Sequence, residues 1–470
     1  MLQALGHGQN QGLPLTINRN EIKSADNRVF SITRSEGDRM RVSSVGLLVR
    51  RLGLLVIGAV LAWKIIALGL SNYAMDQVNG SNKSAKLDAQ DRQVVANRAL
   101  QWDPINRRAL FAQAVGNMDK NPELAQQQLQ QLVRNNPGDG QAMVLLAVLA
   151  LQKKEEKRAD RLMMLATRLM PANGPVHLDA ARFWWQRKNI SLALQHWSAA
   201  LSIDSAHSKT IFPILLAIAE NDKARPALQG IIKNPPQWWP GFFTFLSQRA
   251  IRNETVELVY LMRRKASDPL RPEERLAYIQ RQRRDSNFTR AYLGWLNGLD
   301  KEQRGQLGQL YNGNFELDIS NSGYGWHARP IKGVEVKQDF TTDTIGKRAL
   351  HLRFQNREIR YANLYQPLFL RPARYQLRGR IQLERLDGRG GLQWVVQCTG
   401  KKPKILGTSD RFLGSSGWQV FTIDFTVPKR NCIAPELRLT STGLRTFDHK
   451  LEGGVWFDAM TIRTVTNLGG

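Results

Sequence analysis

Three stretches in the last third of the chain combine side chains suited to recognition. Gln376, Arg378, Arg380 and Gln382 alternate with Tyr375, Leu377 and Ile381. In an extended strand the two sets fall on opposite faces, one polar and one apolar. Gln393 and Gln397 likewise stand opposite Leu392, Trp394, Val396 and Cys398, while Tyr361, Asn363 and Tyr365 share a period of two. Guanidinium forks grip carboxylates in pairs, and amides and phenols add directional hydrogen bonds. The chemistry such a face offers is binding of a carboxylate-bearing ligand. The competing interpretation is a solvated outer sheet face.

Bond-making chemistry has no comparable support. The sequence has no GxSxG elbow, no phosphate-binding GxxxxGK[ST] loop and no HExxH pair. Its seven histidines are scattered. We therefore expect no catalytic residues, no enzyme and no organic cofactor. The two cysteines, Cys398 and Cys432, have neither zinc nor redox spacing. Both follow the membrane segment described below. If that part of the chain lies in an oxidising compartment, a Cys398–Cys432 disulfide is expected; the alternative is a pair of buried free thiols.

These residues need a β scaffold, and the sequence supplies one from Tyr311 onward. Period-two runs occur at Ala349–Phe354, Arg374–Leu383, Leu392–Cys398, Trp418–Val427, Glu436–Thr440 and Gly454–Arg463. Gly, Pro, Asn and Asp separate them, the pattern of an antiparallel β-sandwich or jelly roll. The domain opens with Asn312-Gly-Asn-Phe-Glu316 and a Gly325-Trp326 pair. A Gly346-x-x-Ala-Leu-x-Leu strand follows, then Gln-Pro-Leu-x-Leu-x-Pro-x-x-Tyr-x-Leu from Gln366 to Leu377. Next come Gly417-Trp418-Gln419 and a closing Val455-Trp-Phe-Asp-Ala-Met-Thr-Ile462. In this order the fragments resemble the carbohydrate-binding modules of the family 4/9/22 type, across the whole of 311–470. The resemblance implies a jelly roll whose Arg-, Gln- and Tyr-rich face would hold an acidic glycan. It also implies that Glu316 and Asp458 help bind a structural calcium, with backbone carbonyls and water completing the shell. Trp326 and Trp418 occupy positions that are usually core in such folds.

Residues 85–310 are rich in Ala, Leu and Gln and poor in strand signals. Helix-ending turns close at Pro104, Pro137, Pro171, Ser205 and Pro235, in steps of 33, 34, 34 and 30 residues. Ala147, Ala159 and Ala166 recur 34 residues later as Ala181, Ala193 and Ala200, and Trp184 and Trp197 take large positions. This period resembles the tetratricopeptide repeat, which implies an α-solenoid of helical hairpins that binds a protein partner. Arg281, Arg283 and Arg284 look like a solvated helix face.

Residues 52–70 form an apolar run interrupted only by Lys64, and about 20 such residues cross a bilayer. Lys64 can snorkel to an interface or face a partner helix. The first 51 residues carry eight Lys or Arg, whereas Ser71–Asn82 carry none. The positive-inside rule then puts the N-terminus in the cytoplasm and the body beyond the membrane. A cleaved signal peptide is the rival, and its basic segment of about 50 residues would be too long. The formal net charge of +27 is spread along the chain, with 24 Lys or Arg against 14 Asp or Glu in 311–470. That favours acidic polymers or an anionic membrane surface, and the extracytoplasmic placement argues against nucleic acid.

The sequence thus reads as a multidomain α plus β protein. It comprises a disordered cytoplasmic tail (1–45), a transmembrane helix (46–70), a linker (71–84), a tetratricopeptide-like α-solenoid (85–310) and a C-terminal jelly roll (311–470). This combination resembles accessory proteins of bacterial exopolysaccharide production, which implies a scaffold for exopolysaccharide assembly or export on the periplasmic face of a bacterial inner membrane. Its solenoid would bind an envelope protein partner and its β domain an acidic polysaccharide. The alternative is a purely protein-binding envelope scaffold.

Overall fold

The structure is a computed structural model that describes residues 44–79, 89–400, 403–432 and 434–465. The expected N-terminal tail falls outside these residues except for its last two. Helix α1 (Ser44–Asn79) contains the apolar run, and its side chains from Val49 to Leu70 are exposed apart from Ala67. It is a single apolar helix long enough to span a membrane. The segment expected as a linker is a continuation of α1 as far as Asn79. The reason is burial: Ser71, Ala74 and Met75 pack on Ala96 and Ala99 of α2 (Ala89–Trp102) and Ala109 of α3 (Arg107–Asn117). Polar contacts fix the packing. Ser71 Oγ donates to Ala99 O at 2.8 Å, and Asn106 Nδ2 donates to Ser71 Oγ at 2.9 Å. The end of α1 thereby serves as the first helix of the first hairpin.

Paired helical hairpins follow: α3 with α4 (Pro122–Asn135), α5 (Gly140–Gln152) with α6 (Glu156–Leu169), and α7 (Gly174–Gln186) with α8 (Ile190–Ile203). The repeat is visible in the caps. Asn106, Asp139 and Asn173 each accept the backbone N–H three residues ahead, opening α3, α5 and α7; Asn121 and Asn189 do so for α4 and α8. Each satisfies an otherwise orphaned helix donor. All six repeating alanines are fully buried, because a methyl group is the most that fits where two helices cross this closely.

The pattern loosens through α9 (Ser208–Glu220) and α10 (Gln229–Lys233), then α11 (Trp239–Arg249), α12 (Asn253–Arg264), α13 (Pro272–Arg284), α14 (Phe288–Leu296) and α15 (Lys301–Gly305). Here the core is aromatic, around Trp239, Phe242 and Phe243. It encloses a fully buried ion pair, Arg263 Nε to Glu274 Oε1 at 2.9 Å. Of the arginines expected as a solvated face, Arg281 is buried while Arg284 is exposed, and both donate to main-chain carbonyls. Arg281 donates to Ser247 O and Ala250 O, and Arg284 to Ser247 O and Gln248 O. They cap the carbonyls left unsatisfied around the end of α11. Arg283 reaches Gly323 O across the junction and lies over the Tyr324 ring.

The β domain contains two antiparallel five-stranded sheets. One runs β1 (His327–Ala328), β4 (Leu364–Pro367), β9 (Pro435–Thr442), β6 (Gly391–Cys398), β7 (Lys404–Thr408); the other runs β2 (Val334–Asp339), β3 (Ala349–Glu358), β10 (Lys450–Thr464), β5 (Ala373–Gly388), β8 (Gly414–Val427). The arrangement is consistent with a jelly roll. Phe315, Trp326, Trp394, Phe421 and Phe457 fill the space between the sheets. Cys398, at the end of β6, and Cys432, just before β9, are bridged, with Cα atoms 5.2 Å apart.

The two folded parts share an aromatic seam. Tyr292 of α14 stacks on Phe369 at 4.3 Å, and Trp295 meets Tyr311 edge-on at 5.0 Å. Gly323, at φ +59°, lies so close that a Cβ would sit 2.1 Å from Trp295 Cδ1. No side chain larger than hydrogen fits there.

Candidate functional site

Strand β5 delivers the alternation legible in its sequence. Tyr375, Leu377 and Ile381 are buried inward, and Gln376, Arg378 and Arg380 face out. Its neighbours complete the face. Arg378 is opposite Thr422 on β8 and Thr461 on β10, and Gln376 is opposite Asp424 and Arg463. The result is an open groove of about 390 Å³ whose lining includes Gln376, Arg378, Arg380, Val420, Thr461 and Arg463.

The charges are unevenly satisfied. Gln376 Nε2 donates to Asp424 Oδ1 at 3.0 Å, and the buried Asp458 of β10 stands opposite Arg380 in register. Arg380 is held by Asp343 O at 3.0 Å, and its guanidinium lies over the Trp418 ring at 4.7 Å. Among the described residues, Arg378 and Arg463 have no ion-pair or side-chain hydrogen-bond partner. Both are exposed, so two guanidinium forks stand free beside a third that is fixed. An anion entering here gains charge-assisted bonds without displacing an internal partner. Trp418, expected in the core, is on this outer face, donating Nε1–H to Thr342 O at 2.8 Å. Its indole N–H thus stays satisfied while its ring flanks Arg380. Sequence reasoning missed Arg463, although its alternation with the buried Ile462 was there to be read.

The remaining predicted ligands are elsewhere. Tyr361 does not share a face with Tyr365. It is 1% exposed, packed between the sheets against Phe354, because residues 361–363 precede β4 and do not follow its pleat. Burial pushes its hydroxyl pKa up, and its Oη has no partner among the described residues. Gln393 and Gln397 project from β6 on the other sheet, so they cannot share a ligand with Arg378. Gln393 donates to Ser409 O, and Gln397 to Glu436 Oε1 at 3.3 Å. Tyr365 is on that second sheet too, but its ring is covered. His327 stacks on it at 4.7 Å and the Arg438 guanidinium lies 4.3 Å away, leaving it 8% exposed. Burial lowers the His327 pKa to about 4, with Arg283, Arg329 and Arg438 adding to the effect. At neutral pH the ring is uncharged and stacks as an aromatic plate.

Glu316 and Asp458 come together beside the segment that leads into β3, Asp458 being on β10 of the sheet that carries the groove. Glu316 Oε1 accepts from the Lys347 and Arg348 amides, and Asp458 from the Ile345 and Ala459 amides. The intervening Gly346, at φ +97°, has no room for a Cβ, which would sit 2.1 Å from Glu316 Oε1. Burial raises the Asp458 pKa, and the Glu316 charge adds to it. In the same opening segment, Asn314 Oδ1 is buried without a partner among the described residues. Two mutually repelling carboxylates with spare lone pairs, and an orphaned amide oxygen in the same segment, suit a hard cation that takes oxygen ligands. Among the described residues no three His, Cys, Asp or Glu side chains form a metal-binding group, so main-chain oxygens and water would have to complete the shell.

No protein-family model matches the chain, and no curated protein matches it. Solved structures similar to parts of it include the CBM22-1 xylan-binding domain of Paenibacillus barcinonensis Xyn10C. That likeness has 16% identity and a TM-score of 0.25, covering 33% of this chain and 92% of that one. A structure described as "CBM4 structure and function" has 13% identity and a TM-score of 0.26, covering 33% and 99%. The crystal structure of MamA has 11% identity and a TM-score of 0.23, covering 43% and 92%.

Proposed function

We propose that this protein is a non-catalytic, membrane-anchored scaffold whose β domain holds an acidic glycan in the groove of Arg378, Arg380 and Arg463. The observation that carries this is the pair of unpartnered guanidiniums, Arg378 and Arg463, beside the fixed Arg380. Uronic-acid carboxylates along a polymer match such forks. The hairpin array, as a tetratricopeptide-type solenoid, takes a protein partner. The combination suits exopolysaccharide assembly or export at the periplasmic face of a bacterial inner membrane. In calorimetry, the detergent-solubilised full chain should bind polygalacturonate more tightly than neutral dextran. Affinity should fall as salt rises, since exposed charges are screened over about 10 Å at 0.1 M. The Arg378→Glu, Arg380→Glu variant should lose binding at least tenfold. No binding to acidic polymers at low salt would leave a scaffold that contacts proteins alone.

Glu316, Asp458 and the Asn314 amide oxygen would hold calcium as a structural ion. Calcium would then relieve carboxylate repulsion and fix the 341–348 loop. Added calcium should raise the melting temperature of chelator-treated protein, and Asp458→Asn should abolish that rise. Identical melting with and without calcium would dismiss the ion.

A further inference from the structure

Helix α2 runs antiparallel to the end of α1, and its tip reaches back along the apolar run. Ala96 packs near Ala74 and Met75, Ala99 O binds Ser71, and the Trp102 ring lies 6.1 Å from that of Trp63. If Arg50 and Arg51 mark one membrane surface, a hydrocarbon core of about 20 helical residues ends near residue 71. Trp63 lies within it, roughly 10 Å below the far surface at 1.5 Å per residue. The Trp102 ring reaches that level against Trp63, while the Asn106–Ser71 bond holds the other end of the Trp102–Ile105 turn near the surface.

The turn has the composition for such a place. Its outward side chains are Trp102, Pro104 and Ile105, with Ile105 63% exposed. The Asp103 carboxylate turns back to accept the Ile105 amide. Charge resumes immediately beyond, where Arg107 pairs with Asp139 and Arg108 with Asp76. A tryptophan and an aliphatic tip backed by arginines is how proteins rest in the zone between headgroups and acyl chains.

We infer that the Trp102–Ile105 turn is a lipid-contacting foot, seated in the interface of the bilayer that α1 spans. It docks the first hairpin onto the membrane surface. The occupant is lipid because the turn is continuous with the exposed apolar surface of α1 at Trp63, Ile66 and Leu70. The foot also accounts for Lys64, which follows Trp63 and so is near the level of the Trp102 ring. Headgroups and water drawn in around the turn would solvate its ammonium, easing the cost of a charge at that depth. The anchor and the solenoid would then tilt as one body.

The inference rests on α1 crossing a membrane, and the test separates the two. Single cysteines at Ile105, Leu55 and Ile251 are spin-labelled in the full chain in anionic liposomes; the native cysteines are bridged and do not react. Leu55 reports on α1, and Ile251, 86% exposed on the solenoid, reports on water. We expect the Ile105 label to collide more with oxygen than with a water-soluble nickel chelate, at about 5–10 Å below the headgroups. Chelate access at Ile105 equal to that at Ile251, with Leu55 in lipid, overturns the foot alone. Chelate access at both Ile105 and Leu55 overturns the membrane span with it.

Discussion

Glu274 shows how much one side chain in the solenoid organises. Its fully buried carboxylate accepts from Arg263 Nε at 2.9 Å, from Trp239 Nε1 at 2.8 Å and from the Arg271 amide at 2.8 Å. Arg263 spends its remaining donors on Asp268 and the Pro269 carbonyl. Removing one partner of such a pair leaves an uncompensated charge, which costs about 3–5 kcal/mol. Glu274→Ala should therefore lower the urea midpoint sharply. Joint replacement by Arg263→Met and Glu274→Leu should recover much of the loss, because no charge remains buried. A double variant as unstable as the single one would mean that the pair contributes more than mutual compensation.

At the scale of elements, neighbouring strands and loops decide what each residue can reach. Strand β6 ends at Cys398, and β9 pairs with it, bringing Pro435 opposite Cys398 and Cys432 within bridging distance. The bridge spans 34 residues of sequence, and closing such a loop in the unfolded chain is worth roughly 3–4 kcal/mol. The Cys398→Ser, Cys432→Ser variant should show an earlier β-domain transition in urea, followed by near-ultraviolet circular dichroism. An unchanged midpoint would mean that the two-sheet core alone sets the stability. The same strand logic separates the two polar faces. Arg378 on β5 and Gln397 on β6 belong to different sheets, so their ligands must differ.

For the molecule as a whole, α1 is anchor and first solenoid helix together, and Gly323 against Trp295 joins the solenoid to the β domain. Which compartment contains the body follows, as a proposal, from the eight basic residues before α1 and none in Ser71–Asn82. A phosphatase fused after Asn79 should be active and a fluorescent protein fused there silent in a bacterial host. The reverse pattern would place the groove and the disulfide in the cytoplasm.

By itself the sequence determined which elements exist. The apolar run, the 34-residue alanine spacing and the period-two strands are local patterns, and burial of one face or one stripe forces the matching helix or strand. It also determined which side of β5 carries Gln376, Arg378 and Arg380, because a pleat leaves no choice. Only the tertiary structure decided which faces meet. Tyr361 lies outside the pleat of β4 and falls into the core. Tyr365 loses its free faces to His327 and Arg438, which come from β1 and β9. Arg281 and Arg284 are drawn to carbonyls more than thirty residues away, and Arg463 joins Arg378 through a strand 85 positions later in sequence. Period reports the side of an element; it carries no information on the partner across the gap, since sheet order and helix packing are set by contacts between distant segments.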